Sequence, residues 1–205
     1  DQYGPEALAI FAGTRTGTLT RRGYIRLFTH MWGTPNFGDT EAFCSEAKRV
    51  SFQATLGAGG SGNSYTEDDL GSAALYVYFG DNQAETRPVH FGMINNWRLK
   101  NNAKMVVIDP RMTVTATKAN QWLGIRPGTD LALALALAYH ILQQNLHDQS
   151  FCENWISGWQ EWRDFLFAKN YSPDWAADIV GLDAAVIRAL AEDIAAADGC
   201  VLFAS

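Results

Sequence analysis

Leu75-Tyr76-Val77-Tyr78-Phe79-Gly80-Asp81-Asn82 is a β-branched and aromatic run that ends on a polar turn. Five residues of that kind suit a strand, and Gly80-Asp81-Asn82 closes it with side chains that turns favour. Met105-Val106-Val107-Ile108 repeats the pattern and is tipped by Asp109-Pro110-Arg111, and Trp122-Leu123-Gly124-Ile125 gives a third, shorter strand tipped by Arg126-Pro127-Gly128. A helix is predicted over 88–100, between the first two. After the third, Thr129 or Asp130 is placed to cap a helix over 130–145, whose almost uninterrupted apolar residues suit a helix laid on a sheet. This alternation predicts an α/β fold, a Rossmann-like and mostly parallel sheet joined by crossover helices.

Upstream, Ala7-Leu8-Ala9-Ile10-Phe11 reads as a strand ending at Gly13, and Tyr24, Ile25, Leu27, Phe28 and Met31 recur at helical spacing. Gly33-Thr34-Pro35-Asn36 breaks that helix, because proline lacks an amide proton and biases its predecessor away from helical angles. Cys44 follows this turn. Helical pattern resumes over 50–56 and is stopped by the glycine-rich stretch 57–62. Downstream, a helical sub-region occupies about 147–197. There Phe151, Trp155, Trp159 and Trp162 space like one apolar face, Ser172-Pro173-Asp174 starts a helix with proline in its first turn, and a helix over 183–196 precedes a strand ending the chain. Residues 1–205 are treated as a single α/β segment. Its first and last residues suggest an excerpt of a larger, multidomain protein.

The 205 residues, 47% hydrophobic and 12% aromatic, support a buried core. Sixteen basic against 22 acidic residues leave a net charge of −6, which provides no broad basic footprint for a nucleic-acid partner. The apolar run 131–138 is far shorter than the roughly 20 residues needed to span a bilayer, so no transmembrane segment is expected. Cys44, Cys152 and Cys200 are too widely spaced for a CxxC metal motif, and a free cysteine is most often a small buried hydrophobe. His30, His90, His140 and His147 form no HExxH grouping, which leaves zinc hydrolysis unsupported. The glycines of 57–62 match neither the dinucleotide fingerprint nor the P-loop spacing.

In an open parallel sheet, ligands bind outside the carboxyl ends of the strands. Asp81, Asn82 and Glu85 follow one strand, Asp109 and Arg111 the second, and Thr129 and Asp130 the third. These side chains suit ribose hydroxyls, a guanine edge and phosphate. Each tip alone is ordinary turn chemistry; three in register point to a shared site.

With these motifs the chain resembles the molybdopterin oxidoreductases of the dimethyl sulfoxide reductase type, which include nitrate reductases, formate dehydrogenases and acetylene hydratase. Tyr3-Gly4-Pro5-Glu6-Ala7 resembles the family's entry, Gly33-Thr34-Pro35-Asn36 its turn, 80–88 its GxNPxExHP loop, and Asp109-Pro110-Arg111 with Pro127-Gly128-Thr129-Asp130 its later signatures. The resemblance implies a molybdenum or tungsten bis(molybdopterin guanine dinucleotide) cofactor, with Cys44 as metal-ligand cysteine and catalytic residue. It further implies cofactor contacts from Phe79, Gly80, Asp81, Asn82, Gln83, Glu85, Thr86, Ile108, Asp109, Pro110, Arg111, Gly128, Thr129 and Asp130. A 4Fe–4S cluster is expected in an N-terminal segment outside this chain, and a C-terminal domain would complete the second pterin site. Implied partners are the remainder of the catalytic subunit, an iron–sulfur electron-transfer subunit of anaerobic respiration and a small-molecule substrate. Ser45 stands where formate dehydrogenases of this type have His, and Ala42 where nitrate reductases usually have Arg; both substrates are disfavoured. Gln83 replaces the loop's usual Pro and Arg87 its usual His. Two other outcomes are a redox-neutral hydratase of the acetylene hydratase type and a metal-free electron-transfer or scaffold subunit of the same fold.

Overall fold

The computed structural model describes residues 3–13, 19–40, 46–57 and 66–204. It divides into two compact units, Asp1–Ser64 and Tyr65–Ser205.

In the first unit a single 3-10 turn, Pro5–Ala7, leads into β1 (Ile10–Ala12). Then come α1 (Leu19–Trp32), β2 (Phe37–Asp39) and α2 (Glu46–Leu56). The strand expected over 7–11 is thus shorter and shifted, because Pro5 starts a turn that runs through Ala7. β2, which sequence periodicity missed, pairs with β1 in parallel, Ile10 opposite Phe37. The turn between α1 and β2 is held by its side chains. Thr34, buried, donates its hydroxyl to the Leu8 carbonyl at 2.5 Å and accepts the Asn36 amide at 3.1 Å, while the Asn36 side chain donates to the Glu6 carbonyl at 2.8 Å. Gly33, at φ 83°, supplies the left-handed residue that ends α1. On α1 the apolar residues Tyr24, Leu27, Phe28, Met31 and Trp32 are all exposed.

The second unit begins with α3 (Glu67–Ser72), capped reciprocally: the Asp69 amide donates to the Thr66 hydroxyl and the Thr66 amide to the Asp69 carboxylate. Next come β3 (Leu75–Phe79), the single helical turn α4 (Gln83–Thr86), α5 (Pro88–Lys100), β4 (Lys104–Ile108), β5 (Gln121–Leu123) and α6 (Asp130–Gln143). After them lie α7 (Gln149–Trp155), α8 (Trp159–Lys169), α9 (Pro173–Val180), α10 (Ala184–Ala196) and β6 (Cys200–Ala204). The four strands form one parallel sheet in the order β5-β4-β3-β6. One expected crossover differs: β4 and β5 are joined by a segment of bends and turns with only a 3-10 turn, Ala116–Lys118, in place of a helix.

Period-two alternation splits the strand side chains between two cores. Leu75, Val77, Val106, Ile108 and Leu123 pack against Leu133, Ala136 and Leu137 of α6, Ala176 and Val180 of α9, and Ile187, Leu190 and Ala191 of α10. Tyr76, Tyr78, Met105, Val107 and Phe203 pack on the opposite side with Leu70, Phe91 and Ile94. The sheet is therefore covered on both faces, which explains why its strands read as continuous apolar runs. Burial pushes the Cys200 thiol up from an ordinary 9.0 to about 11. The raised value favours the neutral thiol in the folded state, so this contribution to stability is full below pH 9.0 and declines as pH rises toward 11. At pH 8 we expect iodoacetamide to alkylate Cys200 about a hundredfold more slowly in the folded than in the unfolded protein, the ratio of thiolate fractions; mass spectrometry of the labelled peptide gives the rate.

The aromatic stretch does not make one helix face. Ile156–Gly158 interrupts it, with Gly158 in the left-handed region at φ 74°. Trp159 is buried with Tyr139, Leu142 and Leu166, whereas Phe151, Trp155 and Trp162 are exposed.

Candidate functional site

Parallel pairing aligns the strand ends along one edge, with Phe79 opposite Ile108 and Ile108 opposite Leu123. The first two polar tips are bonded together there. Gly80, at φ 59°, donates its amide to the Ile108 carbonyl at 2.9 Å. Asn82 accepts the Thr115 hydroxyl at 2.9 Å on its side-chain oxygen and gives its amide hydrogens to Glu85. Thr115, fully buried, also accepts the Ala84 amide at 2.9 Å. It thus joins the segment after β4 to the loop after β3. Sequence reasoning missed Thr115; the signal was the alternation Thr113, Thr115, Thr117 just beyond Asp109-Pro110-Arg111.

Within the β3 loop the carbonyl of Asn82 accepts the Glu85 and Thr86 amides at 3.2 and 3.0 Å and the Thr86 hydroxyl at 3.0 Å. Glu85 and Thr86 are exposed, whereas Asp81 and Gln83 are buried. The Asp81 carboxylate is held by Arg87 and by the Gln83 amide. Beneath the loop the Tyr78 phenol is buried and has no hydrogen-bond partner among the described residues. Burial, and next the Asp81 charge, pushes its pKa above the ordinary tyrosine value.

At the second tip Asp109 accepts the Arg111 amide at 2.8 Å through Oδ1, an Asx turn that leaves Pro110 and Arg111 exposed. The Asp109 carbonyl accepts Trp122 Nε1 at 2.9 Å and its amide donates to the Leu123 carbonyl at 3.1 Å, tying β4 to β5. At the third tip Gly128 is left-handed at φ 78°, and Thr129 occupies the N-cap position of α6. Thr129 makes no side-chain cap, however: its hydroxyl donates to the Arg126 carbonyl at 2.6 Å. Asp130, exposed, lies in the first helical turn, where a carboxylate meets the positive end of the helix dipole.

Cys44 and the loop 58–62 lie outside the described residues, as do Ala42 and Ser45. On α2, Glu46 and Arg49 form an exposed ion pair, and the Arg49 hydrogen bond lowers the Glu46 pKa. Among the described residues, no three His, Cys, Asp or Glu side chains converge as a metal site, and no helix is long and apolar enough to cross a membrane. A cleft of about 430 Å³, lined by Tyr139, His147, Trp159, Arg163 and Phe167, lies at the carboxyl end of α6. With 14 residues in α6, that is about 20 Å from the third tip, where α6 begins.

The strand order matches one half of a doubly wound dinucleotide-binding sheet, in which the first strand lies inside and the chain reverses direction beside it. Here the reversal falls between β3 and β6, and polar loops line the carboxyl edge next to it. That architecture is Rossmann-like, an α/β fold with a parallel sheet. More narrowly, the chain belongs to the molybdopterin oxidoreductase family, which it matches over residues 2–197. It is 33% identical over 223 residues to dimethyl sulfoxide reductase DmsA of Escherichia coli K12, covering 94% of this chain and 27% of that protein. It is 31% identical to acetylene hydratase of Syntrophotalea acetylenica, covering 91% and 24%. A solved structure of acetylene hydratase from Pelobacter acetylenicus superposes with a TM-score of 0.76 at 29% identity, covering 98% of this chain and 26% of that one. The chain therefore spans about a quarter of the length of these relatives.

Proposed function

We propose that this chain is the core segment of the catalytic subunit of a molybdenum or tungsten oxidoreductase, with the metal bound through Cys44 and carried by bis(molybdopterin guanine dinucleotide). The observation that carries the proposal is the joined edge at β3 and β4, where Asn82, Glu85 and Asp109 stand together outside the carboxyl ends of a doubly wound sheet. The donor set fits the group. Exposed carboxylates at Glu85 and Asp130 can accept the N–H groups of guanine and the ribose hydroxyls, the open backbone around Gly80 and Gly128 admits close approach of phosphate, and a Cys44 thiolate is a soft ligand suited to a dithiolene-held metal. When bound, the cofactor supplies two-electron redox chemistry at the metal; the protein residues bind and orient it. A 4Fe–4S cluster elsewhere in the subunit and an iron–sulfur electron-transfer partner belong to the same proposal.

Metal analysis and guanine nucleotide release from the full-length protein, expressed in a host that makes the cofactor, test it. About one molybdenum or tungsten and two guanine nucleotides per subunit are expected; a metal-free, pterin-free preparation would instead indicate the scaffold reading. The superposition on acetylene hydratase favours one second reading, a redox-neutral hydratase. Turnover of acetylene with no electron acceptor present would select it over the oxidoreductase.

A further inference from the structure

Gln83 and Arg87 have no obvious task as ligands, since one is fully buried and the other reaches back to its own loop. Hydrogen-bond chemistry nevertheless orders the side chains around them. The Asp81 carboxylate only accepts, so Gln83 turns its amide nitrogen toward it, at 2.8 Å from Oδ2. The Gln83 oxygen then faces His90 Nδ1 at 3.1 Å, which makes His90 the donor and places its proton on Nδ1. From the other side, one Arg87 nitrogen contacts both carboxylate oxygens, at 2.8 and 2.6 Å. Asp81 is 3% exposed, so an ionised carboxylate there needs a partner, whereas the Arg87 side chain is 44% exposed at the rim.

We propose that Asp81, Gln83, Arg87 and His90 form a brace that positions the loop carrying Asn82, Glu85 and Thr86, with Arg87 cancelling the Asp81 charge so that the β3 tip accepts an anionic diphosphate. Proline at position 83 would stiffen the loop through its ring; glutamine stiffens it through two hydrogen bonds of a buried side chain. All four are positioning residues. The idea deepens the nucleotide-loop assignment above and depends on it for the identity of the ligand.

The test uses the full-length protein as wild type, Arg87→Ala, Arg87→Lys, Asp81→Asn and the double variant Arg87→Ala/Asp81→Asn. Two quantities are read: hydrogen exchange of the 83–88 peptide, and guanine nucleotide released on acid denaturation. In Arg87→Ala, exchange should accelerate about tenfold or more and nucleotide retention should fall, because a buried carboxylate is left unpaired. The double variant should recover most of the slow exchange, since asparagine needs no guanidinium. Arg87→Lys, which keeps the charge without the planar fork, should fall between and decides the matter if Arg87→Ala does not accumulate. Wild-type exchange in both Arg87 variants, or no recovery in the double variant, would overturn the brace. Guanine nucleotide missing from the wild type would overturn the ligand assignment alone, because exchange in the same proteins still reads the brace.

Discussion

Cys44→Ala is expected to lower turnover of the full-length protein at least about a thousandfold, equivalent to about 4 kcal/mol of barrier. The expectation rests on ligand chemistry. A thiolate is the soft donor that the proposed metal site draws from the protein, and alanine offers no lone pair. Cys44→Ser separates ligation from packing, because a hydroxyl is similar in size but a much harder donor; it should retain less metal than wild type and more than Cys44→Ala. Melting temperatures must be compared between cofactor-free forms, since a ligand that binds only the folded state raises stability by itself. In that comparison Cys44→Ala should shift the melting temperature by no more than about 2 °C. Undiminished turnover in the alanine variant would remove Cys44 from the metal site.

Val106→Asp should destabilise the second unit far more than Val106→Ala does, most of all at neutral pH and above. Val106 is fully buried in β4, between β3 and β5, and faces the core formed with α6, α9 and α10. Removing the two methyl groups alone, as in Val106→Ala, should cost about 2–3 kcal/mol through lost transfer energy and an unfilled cavity. Aspartate adds a carboxyl group in a layer of Leu75, Val77, Ile108 and Leu133, so it must either stay ionised without a partner or remain protonated at neutral pH. An unpaired buried charge costs about 3–5 kcal/mol, comparable with the whole stability of many domains. The sign of the pH effect follows: a folded-state pKa raised above the unfolded value makes the variant less unstable in acid and worse as pH rises through neutrality. Urea melts at pH 5 and pH 7.5 measure both effects, and equal stability of Val106→Asp and Val106→Ala at both pH values would refute the burial argument.

Much of the second unit was legible in the sequence. The runs 75–79 and 105–108 sit in strands Leu75–Phe79 and Lys104–Ile108, because residues buried on both faces leave no polar alternation to misread. Pro88 marked the start of α5 and Ser172-Pro173 that of α9, where the Ser172 hydroxyl accepts the Trp175 amide at 3.2 Å. Where tertiary contact decides, the sequence was less informative. β2 is three residues long and owes its position to the Thr34 and Asn36 side chains, which bond backbone atoms 26 and 30 residues away. The aromatic residues from 151 to 162 carried helical spacing across Gly158, whose left-handed conformation ends that register. At the site, the strand tips and their carboxylates were readable as turn residues. The links among them were not, because Thr115 and Arg87 act through contacts that no local pattern encodes.

The order of the strands also implies an order of assembly. Leu75 in β3 faces Lys104 on one side, about 29 residues on, and Cys200 on the other, about 125 residues on. Closing the longer loop costs about 1.3 kcal/mol more in chain entropy, a penalty that falls before the contacts that offset it exist. β3, α5 and β4 can therefore meet early, as a near-neighbour unit, while β6 docks only after α6, α9 and α10 have packed on one another and shortened the path. The strand that completes the sheet is thus expected to arrive last, after the β3 and β4 tips that carry Asn82 and Asp109 have met.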